Sequence, residues 1–68
     1  MIAMRIKVNG QERDVGEGAT ILTLLAESKL KPQTVAVELN RRLVKSERYE
    51  QPLKAGDDVE IVTFVGGG

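Results

Sequence analysis

Apolar and polar residues alternate at every second position near the start of the chain, where Met4, Ile6 and Val8 interleave with Arg5, Lys7 and Asn9. A period of two places the two sets on opposite faces of a strand, so the spacing predicts a half-buried strand. It runs into Asn9-Gly10, a pair suited to a two-residue hairpin because both positions tolerate positive φ. Glu12-Arg13-Asp14-Val15 then returns as a short polar strand whose charges suit a sheet edge.

The period changes after Gly16-Glu17-Gly18. Thr20 is placed to cap a helix running from Ile21 to about Lys29, its hydroxyl accepting from a free backbone N–H of the first turn. Ile21, Leu24, Leu25 and Ser28 share one face at helical spacing, Leu22 and Ala26 widen it, and Thr23 and Glu27 point away. Lys29 and Lys31 fall where the helix dipole is negative, and Pro32 prevents continuation.

Alternation resumes with Val35, Val37 and Leu39. Asn40-Arg41 reads as a turn, Arg42-Leu43-Val44 as a short strand, and Ser46 to Glu50 as one helical turn ended by Pro52. Leu53 dips back toward the core, and Ala55-Gly56-Asp57 is a further turn. The final strand follows, with Val59, Ile61 and Val65 facing one way and Glu60, Val62 and Phe64 the other. The order is ββαββ, a helical turn, then β. It predicts an α+β fold, a mixed four- to five-stranded sheet with one covering helix. With the first strand central and parallel to the last, this is the β-grasp (ubiquitin-like) arrangement; periodicity alone leaves a fully antiparallel sheet open. Residues 1–65 form the domain and 66–68 a flexible glycine tail.

Composition narrows the chemistry. Sixty-eight residues, 41% hydrophobic and 29% charged, make one globular domain. Ten basic and ten acidic residues cancel, so no general field attracts nucleic acid or an anionic membrane. No apolar run is long enough for a membrane span, and a cytoplasmic protein is expected. There is no cysteine and no histidine. Thiolate nucleophiles, zinc-thiolate sites and imidazole bases are thereby excluded, and the chain is expected not to be an enzyme. Ser28 and Ser46 lack a base and a nucleophile-elbow sequence. The glycine run is not followed by Lys-Ser/Thr, as a phosphate loop would be. Adjacent Asp57 and Asp58 point to opposite strand faces and suit a turn better than a metal site.

What remains is the ending, Gly66-Gly67-Gly68. Three extended glycines reach about 10 Å past the last side chain, and a terminal carboxylate there is ionised at neutral pH. Chain ends are commonly unstructured, and the tail alone would be read that way.

The surrounding residues alter that reading. Ile6-Lys7-Val8-Asn9-Gly10, Gly18 through Leu25, Val35 through Asn40, Leu43 to Tyr49, Leu53 through Ile61 and the terminal glycines, in this order, resemble the ThiS sulfur-carrier proteins of thiamine biosynthesis. The likeness covers nearly the whole chain; its one departure is a third glycine, Gly66, before the matching pair Gly67-Gly68. The resemblance implies a carrier whose Gly68 carboxylate is the adenylation and thiocarboxylate site. A ThiF-like adenylating enzyme would activate it with ATP, a sulfur donor protein would convert it, and a ThiG-like thiazole synthase would consume it. No cofactor is bound by the carrier itself. The chemistry is coherent: a carboxylate resists acyl attack until adenylation supplies a leaving group, and glycines let backbone enter a narrow channel.

Strand phase nominates a docking patch of Phe64 and Val62 beside Glu60; the competing reading folds Phe64 over the sheet edge as core. Arg41, Arg42, Lys45 and Arg48 form a local basic cluster, read mainly as solvated turn charges. Tyr49 is expected to be partly buried, with a wet hydroxyl. Alternatives to a thiamine carrier are a MoaD-like molybdopterin sulfur carrier, a ubiquitin-like protein modifier and a binding module with an inert tail.

Overall fold

The computed structural model describes residues 3–64. Five strands and one helix follow in the order β1 (Ala3–Val8), β2 (Gln11–Gly16), α1 (Ile21–Glu27), β3 (Val35–Leu39), β4 (Arg42–Val44) and β5 (Asp58–Thr63), with single 3-10 turns at Pro32–Thr34 and Ser46–Arg48. The sheet order is β2-β1-β5-β3-β4. β1 and β5 pair in parallel, with Lys7 opposite Asp58 and Val8 opposite Val59, while the other pairs are antiparallel. That single parallel pairing rules out the fully antiparallel alternative and gives the β-grasp arrangement with all five strands.

Both hairpins turn through residues with positive φ: Asn9 at 52° and Gly10 at 83°, then Asn40 at 52° and Arg41 at 71°. Paired positive φ values match the right-handed strand twist, which is why such turns dominate two-residue hairpins. Each asparagine also reaches β5. Asn9 accepts from the Ile61 N–H at 2.7 Å, and Asn40 accepts from the Asp58 N–H at 2.9 Å. The Asp57 carboxylate fixes the preceding turn, accepting from Lys54 N at 2.8 Å and Asn40 Nδ2 at 3.1 Å.

Thr20 caps α1 as expected, and Thr23 reciprocates. Thr20 Oγ1 accepts from Thr23 N at 3.2 Å, and Thr23 Oγ1 accepts from Thr20 N at 2.9 Å. The helix ends earlier than periodicity predicts, at Glu27. Lys29 takes a φ of 58°, Leu30 N donates to Leu25 O at 2.8 Å, and Lys29 N to Ala26 O at 3.1 Å. This left-handed cap satisfies the last carbonyls and sends Leu30 back onto the core. Pro32 is therefore not what stops the helix, and Lys29 lies outside it. Ser28, expected on the apolar face, is exposed.

The core lies between α1 and one face of the sheet: Ile6, Ile21, Leu24, Leu25, Val35, Val37, Tyr49, Leu53 and Val59. Tyr49 is buried rather than half-wet, with only 4% of its surface exposed. The connection around it is tied to the helix start by Leu22 N donating to Tyr49 O at 3.2 Å and by Leu53 N donating to Ala19 O at 2.7 Å. Each fully buried aliphatic side chain contributes about 1.5–3 kcal/mol.

Candidate functional site

Because α1 covers one face of the sheet, alternation along each strand leaves the opposite face open to solvent. Val59 is buried on β5, so Glu60 and Val62 point outward, and both are exposed. Phe64 keeps this phase: its N–H donates to Thr34 O at 2.9 Å, one rung beyond the Ala36–Val62 pair. Val62 is 60% exposed and Phe64 57%. The reading of Phe64 as a core residue folded over the edge is thereby excluded.

The structure adds a residue that the sequence reading left out. Leu43 is 72% exposed, opposite Glu38, which is in turn opposite Glu60. Leu43, Glu38 and Glu60 thus form one row across β4, β3 and β5, with Ala36 and Val62 in the next. These five line a shallow cleft of about 170 Å³. The two-residue turn Asn40-Arg41 was the signal available: it pairs Leu39 with Arg42, and so sets Leu43 beside the outward Glu38.

The other half of the open face is polar. Arg5 Nε donates to Asp14 Oδ1 at 3.0 Å, and Arg5 Nη1 to Glu12 Oε1 at 3.2 Å. The hydrogen bond to Asp14, then the charges of Asp14 and Glu12, raise the guanidinium pKa above its ordinary value. The expected basic cluster lies elsewhere. Arg41, Arg42, Lys45 and Arg48 are exposed, Arg42 and Arg48 line a groove with Leu53 and Pro52, and none forms an ion pair among the described residues. Among the described residues no acidic cluster is arranged to hold a metal ion, and no helix is long and apolar enough to cross a membrane. Gly66, Gly67 and Gly68, and the core role expected of Val65, lie outside the described residues.

Two of the three exposed apolar residues, Val62 on β5 and Phe64 just past its end, therefore lie on the segment that leads toward the terminal glycines. The ThiS family's sequence profile matches residues 5–68. The chain belongs to the ThiS family. ThiS relatives are similar along nearly all of the chain: the sulfur carrier protein ThiS of Bacillus subtilis is 41% identical, over 93% of this chain and 98% of that protein. The crystal structure of the ThiS thiamine biosynthesis protein from Geobacter metallireducens superposes with a TM-score of 0.76 at 35% identity, covering 96% of this chain and all of that one. A thiazole synthase of Paramagnetospirillum magneticum is 39% identical over 96% of this chain, and one of Magnetococcus marinus is 36% identical over the same share. This chain spans only 20% of the length of each of those two synthases.

Proposed function

We propose that this ThiS-family chain carries sulfur as a thiocarboxylate on Gly68. The carboxylate attacks the α-phosphorus of ATP within a ThiF-like adenylating enzyme, expelling pyrophosphate. A sulfide equivalent from a sulfur donor protein then displaces AMP from the acyl-adenylate. A ThiG-like thiazole synthase consumes the product. The carrier contributes no catalytic side chain and binds no cofactor; ATP belongs to the adenylating enzyme. The work takes place in the cytoplasm, where those enzymes meet it.

The observation that carries this reading is the family match running through Gly68. The two thiazole synthases that contain a ThiS-like segment support the third partner, because joining carrier and consumer in one polypeptide raises their effective concentration. The position of Phe64 and Val62 supports a docking role. A partner covering them meets a rigid strand, and the glycines beyond, lacking Cβ atoms, can thread an active-site channel.

The test is mass spectrometry of the protein recovered from its own cells, beside reconstitution with the adenylating enzyme. A thiocarboxylate appears as an intact mass raised by the difference between sulfur and oxygen. Deleting Gly68, or extending the chain past it with a tag, is expected to abolish that product with the unfolding midpoint unchanged. Undiminished product from the extended chain refutes the assignment. A glycine remnant on lysines of other proteins would instead identify a protein modifier.

A further inference from the structure

The open face divides into halves that handle charge differently. On β1 and β2 the acids have a cation of their own, Arg5 bonding both Asp14 and Glu12. On β3 and β5 two acids face each other directly, Glu38 opposite Glu60, and neither forms an ion pair among the described residues. Directly opposed side chains lie about 5 Å apart at Cβ, and like charges so placed destabilise a sheet. The β1 ladder stops at Val8, in register with Val59, so no β1 residue lies beside Glu60 to relieve it. Lys7, outward on the same face, is in register with Asp58 instead.

Exposed apolar side chains flank this acidic pair: Leu43 beside Glu38 on β4, and Val62 next to Glu60 along β5 with Phe64 beyond it. A partner that takes those three out of water also dehydrates the carboxylates, and desolvated unpaired charge is costly. Such a partner must bring a cation to the point between them. A guanidinium suits it better than an ammonium, since its planar fork of donors can serve two carboxylates at once. A second copy stacked with the two acidic pairs in register does not fit, because it would set four carboxylates together.

We propose that Glu38 and Glu60 form a receptor for one arginine on the docking surface of the adenylating enzyme, set among apolar side chains that cover Leu43, Val62 and Phe64. This deepens the docking reading above and rests on it. The domain tolerates like-charge repulsion when free, and that repulsion becomes attraction in the complex. Removing the charges should therefore stabilise the carrier while weakening its recognition.

The experiment titrates the full chain against its ThiF-like enzyme by calorimetry at roughly 0.05 and 0.5 M salt, using wild type, Glu38→Gln/Glu60→Gln and Phe64→Ala, with urea unfolding of each. The double variant is expected to unfold at higher urea and to bind about tenfold or more weakly at low salt, with its salt dependence flattened. Phe64→Ala is expected to weaken binding and keep the wild-type salt dependence. If the double variant binds as wild type while Phe64→Ala does not, the arginine receptor is refuted and the docking patch survives. Wild-type binding by both variants refutes the patch and the receptor together. A wild-type carrier that sediments as a dimer, and as a monomer after Phe64→Ala, assigns the face to self-association and overturns the proposal.

Discussion

Asn9 Oδ1 accepts the backbone N–H of Ile61 at 2.7 Å, across 52 positions of sequence. The β1–β5 register ends at Val8–Val59, and Asn9 N donates to Val59 O at 2.8 Å. The asparagine side chain thus stands in for one more rung, holding β5 straight where its neighbour has already turned away. Phe64 lies three residues farther on.

Asn9 has two separable roles, a positive φ and that acceptor. Asn9→Gly keeps the first and loses the second, with an expected cost of about 1 kcal/mol. Asn9→Ala loses both, with an expected cost of about 2 kcal/mol. Urea unfolding distinguishes them; equal midpoints for the two variants would show that the side-chain bond, not the positive φ, matters.

Leu24 is 1% exposed at the centre of the helix–sheet contact. Truncation to alanine in such sites costs about 2–5 kcal/mol, against a total stability of roughly 3–10 kcal/mol for a domain of this length. Leu24→Ala is expected to leave a large unfolded fraction at 37 °C by circular dichroism, and a cooperative transition near the wild-type midpoint would contradict this packing.

The second hairpin carries a residue poorly matched to its backbone. Arg41 sits at a φ of 71°, where a Cβ crowds the following carbonyl. Arg41→Gly is expected to stabilise by about 0.5–1 kcal/mol. Gly10→Ala makes the reverse change at a φ of 83°, and a Cβ there meets nothing within 4 Å. Its expected loss of about 1 kcal/mol is therefore a backbone effect. Thermal melts of the two variants should move in opposite directions.

Local features of this fold were legible because they are written in adjacent residues. Alternation placed Ile6, Val37 and Val59 inward and Glu60, Val62 and Phe64 outward, Asn9-Gly10 announced its turn, and Thr20 announced its cap. The parallel pairing of Lys7 with Asp58 was not readable from periodicity, since register between distant strands leaves no mark in either one. Nor was the early helix stop, because a lysine rather than a glycine occupies the left-handed position at Lys29. Tyr49 was underestimated because its burial depends on the bond from Leu22, far away in sequence. Leu43 was missed as a surface residue because its outward phase is set by pairing with Glu38. The assignment of Gly68 rests on sequence likeness throughout.

The position of β5 has a consequence for how the molecule comes into being. The hairpins β1–β2 and β3–β4 have no rungs in common, and the strand between them is made after both. On the ribosome neither hairpin can join the other until that late segment has emerged, so closure of the sheet and assembly of the apolar patch fall at the same moment of synthesis. A nascent chain halted before β5 holds Leu43 but lacks Val62, Phe64 and the strand that joins the two hairpins.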